Sequence, residues 1–240
     1  MDSKETSSRV AIITGGTGAL GTAVAKRFLE AGGRVAIPVR PTNHLPEIPP
    51  AFSPWKQAVS VAAADLAVET AVRQFVAETI NRFGRIDVLV NTAGAFAGGA
   101  VIGEATAATL DDMLTTNLKT AFLMCSAILP HMRERKFGRI VSIAAMPALF
   151  PTAGRGPYAI AKGGIVTLTE TIAEEVKGTG ITANAIAPSI IRTPANQASM
   201  PKADASRWVS AEELADLVFF LCSESARSLN GNVIKAFGGV

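Results

Sequence analysis

One tyrosine, two histidines and two cysteines are all that 240 residues contain, and each scarcity excludes something. His44 and His131 have no companion ligands at metal-binding spacing, so no metal site is expected. Cys125 and Cys222 sit far apart in apolar helical stretches and read as reduced core thiols of a cytoplasmic protein, not as a disulfide framework. No apolar run is long enough to cross a membrane, and the opening MDSKETSS has no apolar core of a secretory leader. An excess of one charge sign is missing too. A net charge of +3 gives no nucleic-acid surface, and the densest basic run, RERKFGR (133–139), falls where a helix should end, with cations complementing the helix dipole.

What is present is order. With 48% hydrophobic residues a sizeable core is available. Runs rich in Val and Ile, at 9–14, 34–39, 57–63, 86–91, 139–144, 181–187 and 232–237, alternate with segments of helical period. In AVRQFVAETINRF, Val72, Phe75, Val76, Thr79, Ile80 and Phe83 share one face, as on a helix that covers a sheet. Near-continuous apolar strands between such helices predict an α/β fold, a doubly wound parallel sheet buried on both sides, in one domain over 1–240. Two irregular stretches, 40–54 and 188–208, are long enough to be functional loops.

The first strand runs into AIITGGTGALG (11–21), where Gly16, Gly18 and Gly21 fit the dinucleotide fingerprint of a Rossmann-type fold: small residues let the backbone approach a pyrophosphate at a helix N-terminus. Gly15, Thr17, Gly18, Leu20 and Gly21 are the candidate contacts. The second strand ends PVRP. Where a carboxylate would grip a ribose 2′-hydroxyl there is Val39, then Arg40, a pattern that favours the 2′-phosphate of NADP, with NAD as the alternative.

The sole tyrosine lies in PYAIAK (157–162), with Lys162 four residues on and hence on the same helix face. A neighbouring cation is expected to lower the phenol's pKa and let it exchange protons near neutrality. With NTAG (91–94) after the fourth strand, TTNLKTAF (115–122) opening a helix and NAIAPSIIRTP (184–194) after the sixth, the ordered set resembles the single-domain short-chain dehydrogenase/reductase family over nearly the whole chain. The resemblance implies that Asp65 and Leu66 hold the adenine, that Asn91, Ala93 and Gly94 flank the adenosine, and that Pro188, Ile191 and Thr193 meet the nicotinamide. It makes Tyr158 the proton donor, Lys162 its electrostatic partner and a ribose ligand, and Asn117 the holder of a relay water. It also implies a small-molecule substrate and a homo-dimer or homo-tetramer. Read singly, Asp65 could instead cap a helix, Asn91 and Gly94 form turns, and Asn117 bond to backbone.

Three positions depart from the family pattern: Ala19 in the glycine turn, Ser189 after the sixth strand and, most consequentially, Ala145, where a serine usually meets the substrate oxygen. Ser142 is on the opposite strand face and is no substitute. Dihydropteridine reductases also lack that serine, and the loop TPANQASMPKADASRW and the stretch AGAFAGG are similar to theirs. The expected activity is hydride transfer from NAD(P)H to an electron-poor C=O or C=N group in a pocket walled by 145–157, 95–101 and 188–208, with Met146, Leu149, Phe150 and Trp208 making it apolar. Dihydropteridine reductase activity proper, or a nicotinamide-binding sensor with little catalysis, are the alternatives.

Overall fold

The computed structural model describes residues 9–42 and 47–240; His44 and MDSKETSS lie outside them. Seven strands, β1 (Val10–Thr14), β2 (Arg34–Val39), β3 (Val59–Ala63), β4 (Val88–Asn91), β5 (Gly138–Ile143), β6 (Ile181–Pro188) and β9 (Val233–Ala236), form one parallel sheet in the order β3-β2-β1-β4-β5-β6-β9. The two-residue strands β7 (Ile191–Arg192) and β8 (Val209–Ser210) pair separately. Every residue of β1, β4, β5 and β6 is buried, which is why those segments read as unbroken apolar runs instead of alternating.

Helices cover both faces. On one, α1 (Ala19–Glu30) packs Val24 and Phe28 against Leu214 and Val218 of α8 (Ala211–Leu221). On the other, α2 (Glu69–Phe83) and α4 (Thr120–Arg135) bring Phe75, Val76, Met124, Ile128 and Met132 together. Ordinary helix-end chemistry sets the boundaries: Gly84 ends α2 at φ +79°, and Ser210 with Glu213 forms a reciprocal cap on α8. Between them in sequence, α3 (Ala107–Leu114) passes through a π turn, Thr115–Lys119, directly into α4, while α5 (Met146–Leu149), α6 (Gly156–Glu175) and α7 (Pro194–Ser199) follow.

The strand order reverses between β1 and β4. The chain leaves the middle of the sheet toward β3 and then returns to the other side of β1, so the connections diverge at the carboxyl ends of these two strands, where Thr14 pairs with Asn91. Such a switch point opens a crevice. None of the described helices is long and apolar enough to cross a membrane.

At the opposite end of the sheet the basic run departs from its expected reading. Arg133 and Arg135 are solvated, but Arg139 is 3% exposed. It shares Glu224 with buried Arg9: each guanidinium reaches the same Oε1, at 3.1 and 3.0 Å, and both flank the Phe137 ring. Sequence spacing hid this because Glu224 is 85 residues from Arg139 and 215 from Arg9. Glu224→Ala should leave two guanidiniums without a counter-charge and cost about 3 kcal/mol, the low end for a broken buried pair because Glu224 is 39% exposed. Denaturant melts of the variant check this.

Candidate active site

Two cavities meet at Gly94 in the crevice. The larger, about 700 Å³, runs past Gly15, Thr17, Arg40, Asp65, Leu66 and Ala93. The smaller, about 340 Å³, is walled by Leu20, Asn117, Ala145, Tyr158, Lys162, Pro188 and Ile191 among others. Most of the residues singled out from sequence therefore lie along one continuous trough.

The glycine turn shapes the first cavity. Gly15 takes φ +65°, and a side chain on Gly21 would press into the Gly15 carbonyl, so only glycine lets α1 start this close to β1. Gly15 and Thr17 of the turn line the larger cavity, Leu20 of the first turn of α1 lines the smaller one, and Arg40 stands beside the trough with no carboxylate at the end of β2. Asp65 is at the rim, one oxygen accepting from the Ala67 N–H at 2.9 Å. A trough that runs from this glycine turn past Asp65, Leu66 and Ala93 fits a nicotinamide dinucleotide.

Four predicted contacts line neither cavity: Gly21, packed tight behind the Gly15 carbonyl, and three others. Asn91 is buried at the end of β4, where its amide donates to Ser142 Oγ at 3.1 Å across the β4–β5 pairing; its side chain points into the sheet and holds the strand end. Ser142 thus links two strands, in line with its being no substitute for a serine at 145. Thr193 caps α7, its Oγ1 accepting from the Asn196 N–H. Gly18 is the N-cap of α1 and takes part through the turn's backbone.

In the second cavity Tyr158 and Lys162 project from the first turns of α6. Lys162 is fully enclosed, and its Nζ donates to the Ile143 carbonyl oxygen at 2.8 Å, 6.0 Å from the Tyr158 ring centre. Burial pushes its pKa down to about 8. Burial likewise pushes the Tyr158 phenol up to about 12, opposed by the positive charge of Arg155. This corrects the expectation of a phenol held acidic by its lysine: desolvation outweighs the proximity of the two groups, and the charge of Arg155 only partly opposes it. The Phe96 ring meets the Tyr158 ring edge-on at 5.1 Å.

Asn117 sits in the π turn, where the extra residue turns its side chain toward the trough. Its Nδ2 donates to the Ala95 and Met113 carbonyls at 3.0 and 3.1 Å, and its Oδ1 accepts from the Ala95 N–H at 3.2 Å. A Cβ placed on Gly94 would lie 2.7 Å from Asn117 Oδ1 and 3.2 Å from Lys162 Nζ. The bare Gly94 backbone therefore leaves the corner between these two groups open.

The apolar wall also differs from expectation. Met146 lines the cavity, joined by Pro147, Ile190 and Met200. Leu149 instead packs with Ala121 and Ile165, Phe150 stands exposed against Phe237, and Trp208 borders a separate cavity near Gly238. Ala95, Arg155 and Asn196 fall in the three wall segments expected from sequence, which gave none of them a role in the site, and Thr92 was passed over, because loop side chains carry no period from which their direction can be read.

The family model described as short chain dehydrogenase matches residues 9–204. The 2-(R)-hydroxypropyl-CoM dehydrogenase of Xanthobacter autotrophicus is 35% identical over 96% of this chain and 98% of its own. Among solved structures, one titled ElxO with NADP bound superposes with a TM-score of 0.90 at 28% identity, covering 97% of this chain and 98% of the other. Levodione reductase gives 0.85 at 32% identity, covering 96% of each chain. With sequence and architecture both matched from end to end, the chain belongs to the short-chain dehydrogenase/reductase family and is an NAD(P)-dependent oxidoreductase.

Proposed function

We propose that this enzyme reduces a small, electron-poor carbonyl compound with NADPH, using Tyr158 as the proton donor. The observation that carries the reading is the lone phenol at the wall of the smaller cavity, with Lys162 enclosed on the same helix face. NADPH supplies the hydride. The phenol then gives its proton to the carbonyl oxygen, so that C=O becomes CH–OH and a phenolate remains. Lys162 offsets that negative charge. Asn117 has one Oδ1 lone pair uncommitted, beside Lys162 Nζ at Gly94, and we assign that corner to a relay water that returns the proton.

In the larger cavity Gly15, Thr17, Leu66 and Ala93 would hold the adenosine half, Asp65 the adenine, and Arg40 the 2′-phosphate, while Pro188 and Ile191 flank the nicotinamide. Arg40→Ser should lower the preference for NADPH over NADH by about tenfold to a hundredfold, the worth of a charge-assisted contact to phosphate. Comparing kcat/KM for the two dinucleotides checks it. A homo-oligomer built on exposed Phe122 and Ile160 of α4 and α6 fits the same reading.

The pH dependence follows from the shifts. Tyr158, pushed up to about 12, stays protonated and able to donate throughout the neutral range. Lys162 is cationic below about 8 and neutral above. Reduction should therefore be fastest below pH 8 and fall as pH rises through that value, and Lys162→Met should be slow with the fall abolished. Initial rates between pH 6 and pH 10 (roughly two pH units either side of Lys162) test this. A flat wild-type profile would count against the pair.

A further inference from the structure

The smaller cavity carries positive charge without a counterpart. Its wall holds Lys162 and Arg155 and no carboxylate. Lys162 is committed to the Ile143 carbonyl. Arg155 precedes the first turn of α6, half-buried, and among the described residues no oxygen accepts a hydrogen bond from its guanidinium. Its Cζ lies over the Phe96 ring, 5.8 Å from the centroid, and Phe96 stands edge-on to Tyr158. Arg155 and Tyr158 line the same cavity, joined through the Phe96 ring, and the Arg155 charge opposes the effect of burial on the phenol. A ring contact of this kind is worth about 0.5–1 kcal/mol and uses none of the five N–H donors of the fork. A guanidinium over the Phe96 ring, in a cavity wall that also holds Met146 and Pro147, with no protein oxygen on its donors among the described residues, is matched to a planar oxyanion brought by a ligand.

We infer that Arg155 is a specificity residue that binds an anionic oxyacid group of the substrate, so that the substrate is a compact ketone carrying a carboxylate or similar group a few bonds from the reacting carbonyl. The inference rests on the Tyr158 reading for where the carbonyl sits. The cavity of about 340 Å³ also has to accept the nicotinamide end of the dinucleotide, which leaves room for a guest of only a few carbons.

The test is calorimetry on the full protein loaded with NADP⁺, which has no hydride to give, titrated with acetoacetate and with its methyl ester. Acetoacetate should bind about tenfold to a hundredfold more tightly than the ester. Arg155→Met, whose stem keeps the packing on Phe96, should erase that preference and leave the ester's affinity unchanged; Arg155→Lys should restore part of it. Acetonylphosphonate binding more tightly than acetoacetate, with the gain lost in R155M, supports the same residue with a larger oxyanion. Equal affinity for acid and ester in the wild type, or a preference that survives in R155M, overturns the assignment. Turnover with NADPH is measured in parallel. If neither ketone is reduced while the anion preference and its loss in R155M persist, the failure belongs to Tyr158 and the Arg155 assignment stands.

Discussion

Tyr158→Phe should slow carbonyl reduction by about a hundred- to ten-thousandfold, the range for removing a positioned general acid. Dinucleotide affinity should weaken by no more than about tenfold, one hydrogen bond's worth. The two effects separate because the ring stays. Phenylalanine keeps the ring that meets Phe96 edge-on and the packing of α6, so fold and trough survive while the proposed proton donor is lost. Stopped-flow absorbance of bound NADPH mixed with ketone, alongside fluorescence titration of the dinucleotide, gives both numbers. A variant that reduces ketones at the wild-type rate would move the proton source elsewhere in the cavity.

The second large effect runs the other way. Ala145 is 5% exposed, lies at the wall of the smaller cavity and is the N-cap of α5 with extended backbone. A serine there would bring an O–H donor toward the substrate oxygen. A single donor aimed at developing oxyanion charge is worth about a hundred- to a thousandfold in rate where one is missing. Ala145→Ser should therefore raise kcat/KM for simple, unactivated ketones by at least about tenfold, and change the rate for electron-poor substrates far less. Steady-state kinetics on a neutral ketone series of graded electrophilicity will show whether the gain grows as the substrate becomes less activated. No gain at the unactivated end would mean that another group in the cavity wall already stabilises that oxygen.

The strands were legible because burial on both faces leaves nothing to alternate. Each apolar run from 9–14 to 232–237 falls on an observed strand within two residues. The trough was legible because its chemistry is local: a glycine turn fixed to β1, and a tyrosine and lysine one helical turn apart. Ser142 was readable from strand parity alone, and it faces Asn91 on the neighbouring strand. The unread parts depend on how distant segments pack. The sign of the Tyr158 shift turns on how deeply the phenol is enclosed, which neighbouring residues in sequence do not reveal. Trp208 looked like a pocket aromatic because it ends a loop that borders the cavity, yet the loop turns it toward Val209 and Gly238. Arg155, one charge among Gly and Pro in TAGRGP, gave no pattern; it became conspicuous only when Phe96 and Tyr158 were seen beside it.

These residues give the trough a division of labour. On the proposed reading the glycine turn and Arg40 would select a phosphorylated dinucleotide, Lys162 and the phenol would handle the proton, and Arg155 would select the guest. The measurement that bears most directly on this is a crystal structure of the ternary complex with NADP⁺ and acetoacetate. The account predicts the Tyr158 hydroxyl within hydrogen-bond reach of the ketone oxygen, the ketone carbon facing the nicotinamide, and Lys162 turned toward the ribose. A ketone seated elsewhere, with the phenol bonded only to protein, would contradict it.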